Sequence, residues 1–212
     1  MHTPIEARYE YVYHMVAEFI CLQNITQLPA DPFKIIEANK WGSVTYKQLA
    51  QRDGIAVADV IEALESPDGR TNYNKRNYCI AYNTIQRVFP RIKFTLFHEI
   101  GHIYLEHFLE YDINNLTKQQ YDILEDEANY FASNVMAPSI VIEKCMLLKP
   151  QDLCCACGMS KQAANNRLRQ FKIWHASEAD YKVQSIMQEF INIIKPARIN
   201  STLNIMLNEQ II

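Results

Sequence analysis

Apolar side chains recur at Ile5, Tyr9, Val12, Tyr13, Val16, Phe19 and Ile20, with Glu6, Arg8, Glu10 and Glu18 placed largely opposite. That period predicts an opening helix over residues 4–22. Leu28-Pro29-Ala30-Asp31-Pro32 breaks it, and Asp31 as N-cap with Pro32 in the first turn predicts a short helix to about Asn39, ended by Trp41-Gly42. Val44 and Tyr46 flank a segment that reads equally as a strand or as the lead into a helix over 46–53. Residues 56–65 read as a further helix, closed by the turn Ser66-Pro67-Asp68-Gly69. Residues 70–73 and 78–83, separated by the polar Asn74-Lys75-Arg76-Asn77, have the pattern of two antiparallel strands.

From about Pro90 the period turns helical and stays so to His107 or Phe108. A loop at 111–115 precedes Thr117-Lys118-Gln119-Gln120, a capping box that predicts a second long helix from about Lys118 to Met136, stopped by Pro138. Three or four shorter helical patterns follow, at about 139–147, 150–157, 160–171 and 179–194, with Gly158 between the second and third and Pro196 ending the last. The remaining residues to Ile212 are apolar enough to pack but have no clear period. These patterns predict a mainly helical α+β protein with a small antiparallel sheet and a helical C-terminal region.

A chain of 212 residues, 49% hydrophobic and 21% charged, buries a real core in one domain with room for an appendage. The net charge of -3 makes no overall case for a nucleic-acid partner. No apolar run reaches the roughly 18 residues of a membrane span, and the first residues lack the basic leader and apolar core of a secretory signal. The six cysteines lack the density of a disulfide scaffold, so reduced thiols and a cytoplasmic location are expected.

The chemistry concentrates in His98-Glu99-Ile100-Gly101-His102. On a helix, two histidines four apart lie on nearly one face, about 6 Å apart along the axis, and both imidazoles reach a single ion. Glu99, about a quarter turn away, is placed to act on a water held there as general base. Such a site needs a third protein ligand, and Glu125 and Glu127 are the candidates. Asn129 favours Glu125: in the thermolysin-like arrangement a short polar residue four positions after the ligand glutamate hydrogen-bonds a ligand histidine, and Phe131 could not do this for Glu127. His107, five positions past His102, falls on another face of a straight helix and reads as a helix-end residue. Gly101 is expected to let the motif helix pack closely on the sheet. Tyr82, Tyr104 and Tyr130 lie near the motifs, but each reads as a core or surface tyrosine, and no oxyanion donor is identified.

Ile80-Ala81-Tyr82-Asn83, Arg91 to His102, and Glu125-x-Glu127-Ala128-Asn129-x-Phe131-Ala132 with Met136-Ala137-Pro138 together resemble the ImmA/IrrE family of zinc metallopeptidases over residues of about 80–140. The family usually has Leu-Met-Pro where this chain has Met136-Ala137-Pro138. The resemblance implies a zincin-like metallopeptidase domain at 1–138 followed by a helical region at 139–212. It also implies a zinc-dependent endopeptidase that cleaves a helix-turn-helix repressor and so releases genes of mobile elements or stress responses.

Two other readings remain beside it. Residues 150–172 have the outline of a helix-turn-helix whose basic face would comprise Lys161, Arg167, Arg169 and Lys172; direct DNA binding is thereby possible but less favoured than simple packing. A metal-binding protein that acts by contact without cleavage is the other. Cys154, Cys155 and Cys157 contain no Cys-x-x-Cys pair and read as buried thiols.

Overall fold

The computed structural model describes residues 3–85 and 87–197; the apolar stretch at the C-terminal end lies outside the described residues. The chain forms two units, Met1–Met15 with Asp31–Ser133, and Val16–Ala30 with Asn134–Ile212. The first helix, α1, is Tyr9–Leu22, so the opening pattern begins its helix several residues later than its first apolar position. Asp31 caps α2 (Pro32–Ala38), its carboxylate accepting from Phe33 N at 3.0 Å. The ambiguous segment is both of its readings in succession: strand β1 (Gly42–Thr45) runs directly into α3 (Tyr46–Asp53). Thr45 makes the switch, because its hydroxyl accepts from Gln48 N at 3.2 Å while the Gln48 side chain accepts from Thr45 N at 2.8 Å.

Helix α4 (Val57–Leu64) leads to strands β2 (Gly69–Tyr73) and β3 (Tyr78–Tyr82). These two pair antiparallel as expected, with Thr71 opposite Ile80, while β1 joins β3 in parallel, so the sheet is mixed with order β1-β3-β2. Tyr46, Ala50, Val60 and Ala81 make a core cluster that holds α3 and α4 to the sheet. The motif helix α5 (Phe89–Tyr104) packs on β2 and β3 and buries Leu96, Phe97 and Ile100 completely.

The single helix expected to reach His107 or Phe108 is broken. Leu105 ends α5, Glu106 takes a left-handed backbone with φ of 58°, and a short α6 (His107–Glu110) begins in a new direction. The turn redirects the chain, and the residues on either side of it, Leu105 and His107, are both fully buried. A 3₁₀ turn at Ile113–Asn115 then precedes α7 (Lys118–Met136), whose Thr117–Gln120 capping box forms as predicted.

Gly101 allows a close approach, but to α7 and not to the sheet. A Cβ there would lie 3.1 Å from the Phe131 ring and 3.3 Å from Ala128 Cα. The glycine that brings the sheet to the motif helix is Gly69, where a Cβ would stand 2.5 Å from Thr95 Cγ2 and 3.5 Å from Glu99 Cγ.

The second unit contains α8 (Ser139–Lys144), α9 (Pro150–Cys157), α10 (Lys161–Phe171) and α11 (Glu178–Ile186). The expected basic face of α10 is incomplete, because Arg167 is a core residue. Its guanidinium donates to the Ala137 carbonyl at 2.9 Å and to Ser139 Oγ at 2.6 Å. Of the three clustered thiols only Cys157 is buried, and burial pushes it up to about 12; Cys155 is exposed, since adjacent helix positions cannot share one inward face. Among the described residues no helix is long and apolar enough to cross a membrane.

Candidate metal centre

Helices α5 and α7 bring His98, His102 and Glu125 to one point. The two histidine Nε2 atoms are 3.1 Å apart, and the Glu125 carboxylate oxygens lie 3.3 Å from His98 Nε2 and 3.2 Å from His102 Nε2. Tetrahedral coordination at bond lengths of about 2.0–2.1 Å separates donor atoms by roughly 3.3 Å, so these spacings fit one small divalent ion. The chemistry of the set agrees, since two imidazole nitrogens with one carboxylate suit a borderline cation such as zinc.

Ring orientation supports the same conclusion. Asn129, one turn after Glu125 on α7, accepts from His98 Nδ1 at 3.0 Å, which turns the Nε2 lone pair inward. His102 Nδ1 is engaged by His107, so its Nε2 also faces the cluster. Both Nε2 atoms thus face one point, 3.1 Å apart. Burial works against charge on His98, yet its hydrogen bond to the Glu125 carboxylate and the charges of Glu99 and Glu125 prevail and raise its pKa. Burial, outweighing the bond to Glu125, pushes His102 down to about 3. Burial opposes ionisation of Glu125 too, but its bonds to His102 and His98 hold it well below the usual carboxylate range.

Glu127, the alternative third ligand, does not join this group. It lies 200° from Glu125 around α7, 1% exposed, bonded to His107 and Arg8.

Glu99 points to the β2 side of the cluster, 5% exposed. Burial raises its pKa, against the charge of His98 and a 2.7 Å hydrogen bond donated by the Thr71 hydroxyl. Both residues line a cleft of about 370 Å³ that also takes in His98, His102 and Glu125, with Arg70, Arg91 and Tyr121. One wall is the turn from Ser66 to Gly69. Asn83 pins it, donating from Nδ2 to the Pro67 carbonyl at 2.9 Å and from its backbone N to the Asp68 carbonyl at 2.8 Å. Arg87 and Arg91 both pair with the Asp68 carboxylate.

The tyrosine in the cleft is Tyr121, not Tyr82, Tyr104 or Tyr130, which pack on Phe33, Phe131 and Tyr9 respectively. Arg70 donates to the Tyr121 hydroxyl at 2.7 Å, while burial and the charge of Glu125 raise the phenol's pKa and keep it protonated. The spacing rule that relates Glu125 to Asn129 also reaches back to Tyr121. Thr71 and Arg70 carry no such local signal.

A motif helix crossed by an acidic helix, with a buried carboxylate beside a three-donor cluster in an open cleft, is the arrangement of a metallopeptidase. Residues 50–169 match the family model described as the IrrE N-terminal-like domain, a peptidase family, and the chain belongs to that family. The match extends beyond residues 80–140 at both ends. No curated protein and no solved structure matches the chain.

Proposed function

We propose that the protein is a zinc-dependent endopeptidase, with His98, His102 and Glu125 holding the ion and Glu99 as general base. The convergence of three donor atoms at tetrahedral spacing beside a buried glutamate carries this reading. When bound, the ion polarises the scissile carbonyl and acidifies the attacking water. The Glu99 carboxylate, its raised proton affinity set by burial, takes the water's proton and passes it to the leaving amine. Thr71 holds that carboxylate in place through the transfer. Arg70 and Tyr121 present a cation and a hydroxyl to the cleft, where they stabilise charge developing on the carbonyl oxygen.

The substrate we propose is a helix-turn-helix repressor whose removal derepresses genes, in keeping with the family resemblance and with a cleft open to an extended chain. The test is incubation of the zinc-loaded protein, and of Glu99→Gln with its metal content verified, with a purified repressor encoded beside it, read by fragment mass. Cleavage by the native protein alone supports the assignment. Equal cleavage by both removes Glu99 from its role, and binding without cleavage by either favours action by contact.

A further inference from the structure

The break in α5 at Glu106 has a chemical result at His107. Its Nδ1 lies 2.9 Å from His102 Nδ1, and its Nε2 lies 3.1 Å from Glu127 Oε2. His107 is 0% and Glu127 1% exposed. Arg8 grips both oxygens of Glu127, donating to Oε1 from its backbone N at 2.7 Å and from Nε at 3.0 Å, and to Oε2 from Nη2 at 2.9 Å; its Nη1 reaches Glu110 at 2.9 Å.

The hydrogens in this chain follow from what each group can do. Two Nδ1 atoms at 2.9 Å share one hydrogen. Glu127, ionised against Arg8, only accepts, so His107 carries its hydrogen on Nε2. The countercharge of Glu127 is already met by Arg8, and a fully buried His107 therefore stays neutral. Its Nδ1 is then a bare acceptor, and the shared hydrogen belongs to His102 Nδ1. That leaves the His102 lone pair on Nε2, facing His98 and Glu125.

We propose that His107 and Glu127 are positioning residues that fix His102 in the orientation and tautomer required of a metal ligand, with Arg8 anchoring the carboxylate. The inference rests on the metal site proposed above. A carboxylate commonly meets a ligand histidine directly; here Glu127, on the wrong face of α7 to reach the ion or His102, acts through an interposed imidazole. Asn129 does the same for His98 in a single bond.

Zn²⁺ affinity, measured by competition with a chromophoric chelator, tests this in the full chain, His107→Leu, His107→Gln and Glu127→Gln, with His98→Ala as a ligand-loss control. His107→Leu and Glu127→Gln should bind Zn²⁺ about 10- to 100-fold more weakly than the native protein. His107→Gln, whose amide keeps an acceptor and a donor on neighbouring atoms, should remain within about threefold of it. Nitrogen NMR of the native zinc-loaded protein should show His107 neutral with its hydrogen on Nε2. Native affinity in His107→Leu or Glu127→Gln, no recovery in His107→Gln, or a hydrogen on His107 Nδ1 would overturn the proposal. If His107→Leu does not fold, Glu127→Gln and the native spectrum decide. Failure of the native protein to bind Zn²⁺, or binding unchanged by His98→Ala, removes the metal site and this inference together. Binding lost only in His98→Ala removes this inference alone.

Discussion

The Thr71 hydroxyl donates to Glu99 Oε2 at 2.7 Å, tying edge strand β2 to the motif helix inside the site. This bond opposes the effect of burial, which raises the proton affinity of the Glu99 carboxylate. Thr71→Val preserves shape and removes the donor. The ionised form of Glu99 loses a charge-assisted hydrogen bond worth about 1.5–3 kcal/mol, so its pKa rises. The acid limb of the kcat/KM profile against pH should move upward by about one pH unit or more, with KM little changed. An unmoved acid limb would mean that Thr71 does not set the basicity of Glu99.

Asp68 controls the cleft wall and gives a second pH dependence, in stability. Burial opposes its ionisation, but Arg91 and Arg87 overcome this and hold its pKa below the ordinary 3.8. A carboxyl with a depressed folded-state pKa contributes stability above its unfolded value and loses it as pH falls below that value. Asp68→Asn should therefore lower stability by about 1–2 kcal/mol at pH of about 7. The difference from the native protein should shrink as pH falls below about 3.8. Urea unfolding midpoints at neutral and acid pH measure it, and a difference independent of pH would show that the Asp68 charge is not involved.

Gly69 sets the distance between β2 and α5. A methyl group there would stand 2.5 Å from the Thr95 methyl, on a buried, β-branched side chain. Gly69→Ala should destabilise the protein by about 1–3 kcal/mol through overpacking. Thr95→Ser removes the opposing methyl and should restore most of that loss in the double variant, a coupling that independent sites would not show. Additive losses in denaturant unfolding would place the strain elsewhere.

What could be read from the chain was what local geometry determines. The relation of His98 to His102 holds on any helix, and Glu125 followed by Asn129 repeats the same four-residue spacing on a second one. Thr45 resolved into the end of a strand and the cap of a helix at once, so neither reading of that segment alone described it. Thr71 and Arg70 act through strand pairing and packing across about thirty and fifty positions of chain, and no local pattern marks them. His107 was projected along a straight helix. The left-handed backbone at Glu106, adopted by a residue other than glycine, redirects it, and no local pattern marks that turn. Arg167 reads as part of a basic face until the Ala137 carbonyl it satisfies is known.

On the proposed function, the three-donor cluster couples folding to metal binding. An ion bound only by the folded chain adds about 2.7 kcal/mol when its free concentration is 100 times Kd. Zn²⁺ should therefore raise the thermal midpoint of the native protein by several degrees, a chelator should reverse the rise, and His98→Ala should show none. Asn129→Ala separates orientation of the ligand from its presence. Asn129 is an exposed residue, so its truncation should alter the metal-free midpoint little. Without its carbonyl, however, His98 loses the acceptor that turns Nε2 inward. Zn²⁺ affinity should fall about tenfold or more, which at fixed Zn²⁺ reduces the stabilisation by about 1.4 kcal/mol. A zinc-dependent rise equal to that of the native protein would show that His98 keeps its orientation without Asn129.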